Sequence, residues 1–384
     1  MTDPRESLRE LVQTHRVVIA VGAGGVGKTT TAAALGLAAA RDGKRVLCLT
    51  IDPAKRLAES LGVTEMTTDA VTIDKAKFDA AGVKMKGTLT VAMVDTKRTF
   101  DELVLKHSSS PAKAQRLLTN QLYKYVSTSL AGTQEYMAME KLIAVQKSAD
   151  YDLILLDTPP TANALDFLDA PQKLIDVLDS AALRWFVEAF QSTGKLSLNL
   201  LARSAAVVLR GMGKLTGGGF LQAMAEFISE LNELFGGFKQ RATALREALR
   251  APDVSFVLVT SPAPMSIQEV LFFSDRLKEH QMPCGAFVVN RFRLPPGRAD
   301  APPSLAEITE SVHARKLELD SDGPARLLRA HADQIRLAAL DERHVAALGP
   351  RVGAGIPIVR VPELATDVVD LGRLSQVADL LTGA

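Results

Sequence analysis

The 384-residue chain is 47% hydrophobic and 23% charged, enough apolar material for a large core and too much for a disordered tail. Its 45 basic and 44 acidic residues leave a formal charge of +1, which excludes the broad positive field of a general nucleic-acid binder. Two cysteines, Cys48 and Cys284, cannot build a disulfide framework, a CxxC pair or a thiolate metal cluster, so the expected setting is a reducing cytoplasm.

Met1 to Glu10 is charged and lacks the apolar centre of a secretory signal. Val17 to Val21 is a β-branched apolar run that stops at a glycine-rich turn, and Thr30 to Arg41 reads as an alanine-rich helix. Further buried strands are predicted at Arg45 to Ile51, Leu89 to Val94, Tyr151 to Leu156, Ser255 to Thr260, Ala286 to Val289 and Ile356 to Val361. They run into Asp52, Asp95, Asp157, Ser261, Asn290 and Pro362. Strands alternating with helices, each leading to polar residues at its carboxyl end, predict an α/β fold with a mostly parallel, doubly wound sheet whose ligands sit on that edge.

Lys97 to Asp150 and Pro171 to about Arg250 have helical period and few strand signals, and are read as helical elaborations within a single domain spanning 1–384. Pro295 to Pro303 predicts an exposed loop, and Ser304 to Leu348 charged amphipathic helices. No apolar run reaches the roughly 18 residues that cross a bilayer, so any membrane contact is expected to be peripheral.

Gly22-Ala23-Gly24-Gly25-Val26-Gly27-Lys28-Thr29 matches GxxxxGK[ST] between a predicted strand and a predicted helix, the context that the phosphate-binding P-loop requires. Glycines permit a tight turn of converging N–H groups, and the helix start adds its positive dipole end. Lys28 is placed to reach β and γ phosphates, and the Thr29 hydroxyl to ligate Mg²⁺. Acids for metal coupling and water activation belong on neighbouring strand ends. Asp157 fits the first role, through water, and Asp52 the second. The plainer reading of Asp52 is a turn or helix-cap aspartate before Pro53.

With these residues the chain resembles the ArsA-type ATPases, a family that includes the arsenical-pump ATPase and the guided-entry ATPase for tail-anchored proteins. The resemblance covers nearly the whole chain. It rests on the phosphate loop through Thr30, on Asp52-Pro53-Ala54, on Gly132-Thr133-Gln134-Glu135 and on Asp157-Thr158-Pro159-Pro160-Thr161. It extends to Val288-Val289-Asn290-Arg291 and to Pro362-Glu363-Leu364 with Asp367-Val368. It implies a P-loop ATPase, dimeric, with ATP at the subunit interface and Mg²⁺ as the metal. Asp52 becomes the water-activating residue, Asn290 the adenine contact, and the segment from Pro362 the part that closes over the base.

This chain departs from the family in three places. Ala23 stands where the family's signature lysine reaches the partner's phosphates. Lys55 and Arg56 are candidates to replace that cation, and equally ordinary exposed helix charges. The alternative is a heterodimer in which a lysine-bearing relative completes this chain's site. The family's metal-binding cysteines are also missing, so no zinc is expected. At Ser261-Pro262-Ala263, Ala263 replaces an acid that some relatives place near the nucleotide.

The stretch Pro171 to Arg250 carries many apolar residues, among them Trp185, Phe186, Met212, Met224 and Phe227, broken by Gly217-Gly218-Gly219. Two readings stay open: a groove for a hydrophobic protein client or a membrane-protein partner, as the resemblance implies, and packing on the chain's own sheet. The basic residues Lys97, Arg98, Lys106, His107, Lys113, Arg116 and Lys124 read as a solvated helix face in preference to a lipid-binding rim. At the level of function, an ATPase whose nucleotide cycle opens and closes a helical layer is favoured. The alternatives are a nucleotide switch with little turnover and a spatial organiser. The near-neutral charge and the C-terminus, which lacks a basic amphipathic helix, disfavour the organiser.

Overall fold

The structure is a computed structural model that describes residues 3–51, 61, 69–120, 123, 124, 127, 133–158, 169, 170, 172, 176, 227, 240–297, 303–353 and 355–383. Eight strands form one sheet in the order β3-β4-β2-β5-β1-β6-β7-β8. They are β1 (Val17–Val21), β2 (Arg45–Thr50), β3 (Val71–Thr72), β4 (Thr88–Met93), β5 (Leu153–Asp157), β6 (Val254–Thr260), β7 (Cys284–Phe292) and β8 (Ile358–Pro362). All neighbours pair in parallel except β3 with β4. β1 lies centrally, with β5, β2, β4 and β3 on one side and β6, β7 and β8 on the other, so the order of the sheet reverses at β1. In open α/β sheets, ligands bind at the carboxyl ends of strands at such a reversal.

The continuous apolar runs follow from burial on both faces. Along β1, Val17, Ile19 and Val21 enter one core layer and Val18 the other. The first layer is covered by α4 (Thr96–His107), α5 (Pro111–Thr119), α6 (Thr133–Ser148) and α7 (Pro264–Glu279), which contribute Phe100, Leu117, Tyr136 and Ile267. The second is covered by α1 (Pro4–Thr14), α2 (Lys28–Arg41) and α10 (Leu371–Thr382), through Leu8, Leu35 and Leu374. A short α3 (Lys75–Ala80) buries Phe78 in the same layer. α8 (Leu305–Ala314) opens with a capping box of Ser304 and Glu307. It packs on α9 (Gly323–Ala346), a 24-residue helix that buries only Gly323, Ala338, Asp341 and Val345.

Over 97–150 the described residues include α4 to α6, and over 304–348 they include α8 and α9. Five of the described elements lay outside the sequence reading: α1, α3, α7, α10 and the two-residue β3. α1 is set by local chemistry, with Asp3 accepting from the Arg5 N–H and Pro4 in the first turn. β7 runs past Val289 through Asn290 and Arg291, where the pairing register shifts and Arg291 takes a left-handed φ of 56°. The apolar pattern stops before the strand does. Among the described residues, no helix is long and apolar enough to cross a membrane.

α2 consists largely of alanine, and Gly36 lets it lie against β2 and β5. A Cβ there would meet Cys48 Sγ at 2.7 Å and Leu155 Cδ1 at 2.9 Å. Helix propensity alone favours Gly36→Ala by about 1 kcal/mol, whereas overpacking a buried contact costs about 1–3 kcal/mol. Gly36→Ala is therefore expected to lower the urea midpoint, and an unchanged or raised midpoint would show that the helix has room to shift.

Candidate functional site

The loop from Gly22 to Gly27 joins β1 to α2 at the centre of the carboxyl edge. Its path is too close to its neighbours for side chains at either end. A Cβ on Gly22 would overlap the Val259 carbonyl oxygen of β6, and one on Gly27 would overlap the Asn290 amide nitrogen. Gly25 and Gly27 have φ of 76° and 97°, which glycine adopts without the strain other residues incur. Gly24 and Gly25 are exposed at the tip, while Val26 is buried in the layer of α1, α2 and α10. Ala23 packs partly on that same layer.

Lys28, only 5% exposed, folds its ammonium back over the loop and donates to the Ala23 carbonyl at 2.8 Å. Beside it, the Thr29 hydroxyl donates to Asp157 Oδ2 at 2.7 Å. The Thr50 hydroxyl donates to the same oxygen at 3.2 Å, because the parallel register sets Thr50 of β2 opposite Asp157 of β5. Thr158 donates to the Ala20 carbonyl at 2.9 Å and anchors the end of β5 to β1. Asp157 is itself the last residue of its strand and is 2% exposed.

A second feature of this edge is a cleft of about 370 Å³ between the loop, the end of β7 and the segment after β8. It is lined by Gly27, Thr30, Asn290, Arg291, Pro362 and Glu363, among others. Leu364, Asp367 and Val368, which belong to the late segment of the resemblance, line it as well. Asn290 Nδ2 donates to the Val26 carbonyl at 2.9 Å, so the cleft and the loop share one wall.

The structure therefore brings together Gly22 to Thr30, Asp157, Asn290, Arg291 and Pro362 along one edge. Asp52, Lys55, Arg56, Gly132 and Pro159 to Thr161 lie outside the described residues, as do the apolar residues named in 171–250 other than Phe227. Phe227 is buried in the core layer of α4 to α7. Glu135 sits half-buried in the first turn of α6. Ala263 is the residue before α7 and caps it with no side-chain hydrogen bond. Lys97 and Arg98 form exposed ion pairs with Asp101, Glu102 and Asp69, in keeping with a solvated face.

One functional-site residue escaped the sequence reading, Thr50; Thr158 stood in the quoted motif but was given no role. The signal available for Thr50 was a polar residue closing an apolar strand, but its partner is set only by strand register. Cys48 is a core residue and Cys284 packs half-buried on the core: burial, then the Asp157 carboxylate, pushes the Cys48 thiol up to about 12, and burial pushes Cys284 up to about 12. Both are thiols, not thiolates, at neutral pH. The donor set beside the loop is one hydroxyl and one carboxylate, both hard oxygens. That suits Mg²⁺, which takes few protein ligands and keeps water and phosphate oxygens for the rest.

A comparison with protein-family profiles matches residues 15–318 to the family described as anion-transporting ATPase, ArsA. Curated relatives include the ATPase GET3 of Phaeosphaeria nodorum, 23% identical over 80% of this chain and 85% of that protein. The ATPase GET3 of Podospora anserina is 26% identical over 74% and 75%. The putative arsenical pump-driving ATPase 1 of Aquifex aeolicus is 24% identical over 66% and 57%.

Gly27→Ala is expected to push the Asn290 amide off the Val26 carbonyl and to cost about 1–3 kcal/mol of stability. Asn290→Ala removes the same hydrogen bond. In a double-mutant cycle by chemical denaturation the two costs should fall clearly short of additive, and full additivity would show that Gly27 and Asn290 act independently.

Proposed function

Since the chain belongs to the anion-transporting ATPase (ArsA) family, we propose that it binds ATP with Mg²⁺ at the Gly22–Thr30 loop and hydrolyses it to ADP and phosphate. The observation that carries this reading is the Thr29 hydroxyl held at 2.7 Å from the Asp157 carboxylate beside the buried Lys28. No structural role of the fold needs a lysine, a threonine hydroxyl and an acid converging on a glycine loop. Phosphoryl transfer needs all three.

In this reading the N–H groups of the loop and of the first turn of α2 cradle the phosphates, where the helix dipole favours negative charge. Lys28 leaves the Ala23 carbonyl for the phosphate oxygens, a stronger acceptor. Thr29 would hold Mg²⁺ directly and Asp157 through water, while Thr50 keeps the carboxylate aimed. Held there, Mg²⁺ would supply positive charge against the phosphate oxygens. Asp52 orients or deprotonates a water. That water's oxygen bonds to the γ-phosphorus as the bond to the β–γ bridging oxygen breaks, and ADP departs with those electrons. Asn290, Arg291 and Pro362 take the adenine end in the adjoining cleft.

The nucleotide cycle is proposed to drive a dimer, as a homodimer or with a related ATPase chain. A helical layer then engages a hydrophobic protein client or membrane-protein partner. The names of the relatives support the ATPase part. Ala23 favours a second reading, in which the chain is a nucleotide-dependent switch with little turnover alone, paired with a lysine-bearing relative. A cation delivered across a dimer contributes about 10³–10⁵ in turnover, so its absence separates the two readings sharply.

Steady-state hydrolysis by the purified full chain tests both. Mg²⁺-dependent turnover of about one per second or faster, cut about 10²–10⁴-fold by Asp52→Asn with ATP binding retained, is the result expected of a self-sufficient ATPase. Tight ATP binding with negligible turnover would select the switch. Absence of ATP binding would overturn both.

A further inference from the structure

The base-side wall of the cleft is tied to α9 by a chain of charges outside the loop motif, two members of which, Asp341 and Glu363, lie beyond the residues matched to the family profile. Asp341 on α9 is 4% exposed, and a buried carboxylate is tolerated only when paired. Its partner is Arg293, just past the end of β7. The Arg293 backbone N–H donates to Asp341 Oδ2 at 3.0 Å, and Nη1 donates to Oδ1 at 3.2 Å. The other edge of the same guanidinium, Nε, lies 3.4 Å from Glu363 Oε2. Glu363 lines the cleft, and its N–H donates to the Phe292 carbonyl at 3.0 Å.

Neighbouring contacts seat this part of α9 on three strand ends at once. Glu342 receives both Nη atoms of Arg360 in β8 at 2.8 Å, and the Arg360 guanidinium lies 5.1 Å from the centre of the Phe292 ring. The His344 ring nitrogen Nδ1 is 3.1 Å from the Pro262 carbonyl, just after β6. Between the cleft residue Asn290 and Arg293, the chain turns through the left-handed Arg291 and a register shift. The wall is therefore set by a distorted strand end, and Arg293 is what fastens that end on both sides.

We propose that Arg293, anchored by Asp341, is a positioning residue that holds Glu363 and the segment after Pro362 against the nucleoside half of the cleft. It thereby sets affinity for the nucleoside and leaves affinity for the phosphates unchanged. The proposal rests on the nucleotide-binding reading above and adds the means by which the base end is held. It assigns the residues no contact with the reacting phosphates, since Arg293 acts through Glu363 and Asp341 through Arg293.

Asp341→Asn keeps the size of the side chain and an acceptor for the Arg293 N–H but removes the charge that fixes the guanidinium. Calorimetric titration of the full chain with ADP and, separately, with inorganic pyrophosphate, both with Mg²⁺, distinguishes the two halves of the site. Affinity for ADP is expected to fall about tenfold, with pyrophosphate affinity changed less than about twofold. In turnover, KM for ATP should rise with kcat unchanged. Because Asp341→Asn breaks a buried ion pair and can fail to fold, Arg293→Gln, at a half-exposed position, serves as the second variant, and Arg293→Lys should restore only part of the loss. Equal losses for ADP and pyrophosphate, or no loss with either variant, would overturn the proposal. A wild-type chain that binds neither ligand would instead overturn the nucleotide reading on which it stands.

Discussion

At the carboxyl edge of the sheet the backbone passes its neighbours so closely that two positions have no room for a Cβ. Gly22 lies beneath the Val259 carbonyl and Gly27 against the Asn290 amide. Because the loop packs on β6 and β7, the Val26 carbonyl is within reach of Asn290, and the phosphate loop and the cleft beside it form one packed unit. A side chain at either glycine would lift the loop and separate the two halves of the site. The positive φ of Gly27 is the local expression of the same constraint.

A single carboxylate oxygen does comparable work on the other side of β1. Asp157 Oδ2 accepts from Thr29 at the start of α2 and from Thr50 at the end of β2, joining a helix start and two strand ends in a buried setting. Hydrogen bonds to an ionised acceptor are stronger than neutral ones, and burial sharpens the cost of losing them. The same charge is felt at Cys48, whose thiol is pushed up by burial and by Asp157 together. The alanine-rich α2 completes the arrangement, since small side chains and Gly36 bring its first turn close to the sheet.

The sheet was legible wherever both faces are buried, because such strands read as unbroken apolar runs: β1, β2, β5 and β6 agree within a residue or two. It was illegible where pattern and structure part company. α1 carries only a short apolar stripe, Leu8, Leu11 and Val12, in a charged stretch, α3 buries Phe78 alone, and β3 is two exposed residues held by antiparallel pairing with β4. β7 continues through Asn290 and Arg291 because its partner β8 continues, a tertiary cause that leaves no trace in hydropathy. In the site, the loop, Asp157 and Asn290 were readable from motif and resemblance. Thr50 was not, since only strand register places it against Asp157.

The amino-acid sequence by itself determined the α/β class, the phosphate loop and the chemistry of the residues at the strand ends. These depend on local backbone conformation, burial period and functional-group type, all written within a few neighbouring positions. Only the tertiary structure decided which of those residues meet. Arg293 and Asp341 are 48 positions apart, and Asn290 and Val26 are 264 apart. Their pairing depends on where α9 lies across the strand ends and on how the β1–α2 loop packs against β7. Such contacts arise from long-range packing, in which the partner is chosen by geometry and burial and not by adjacency in the chain.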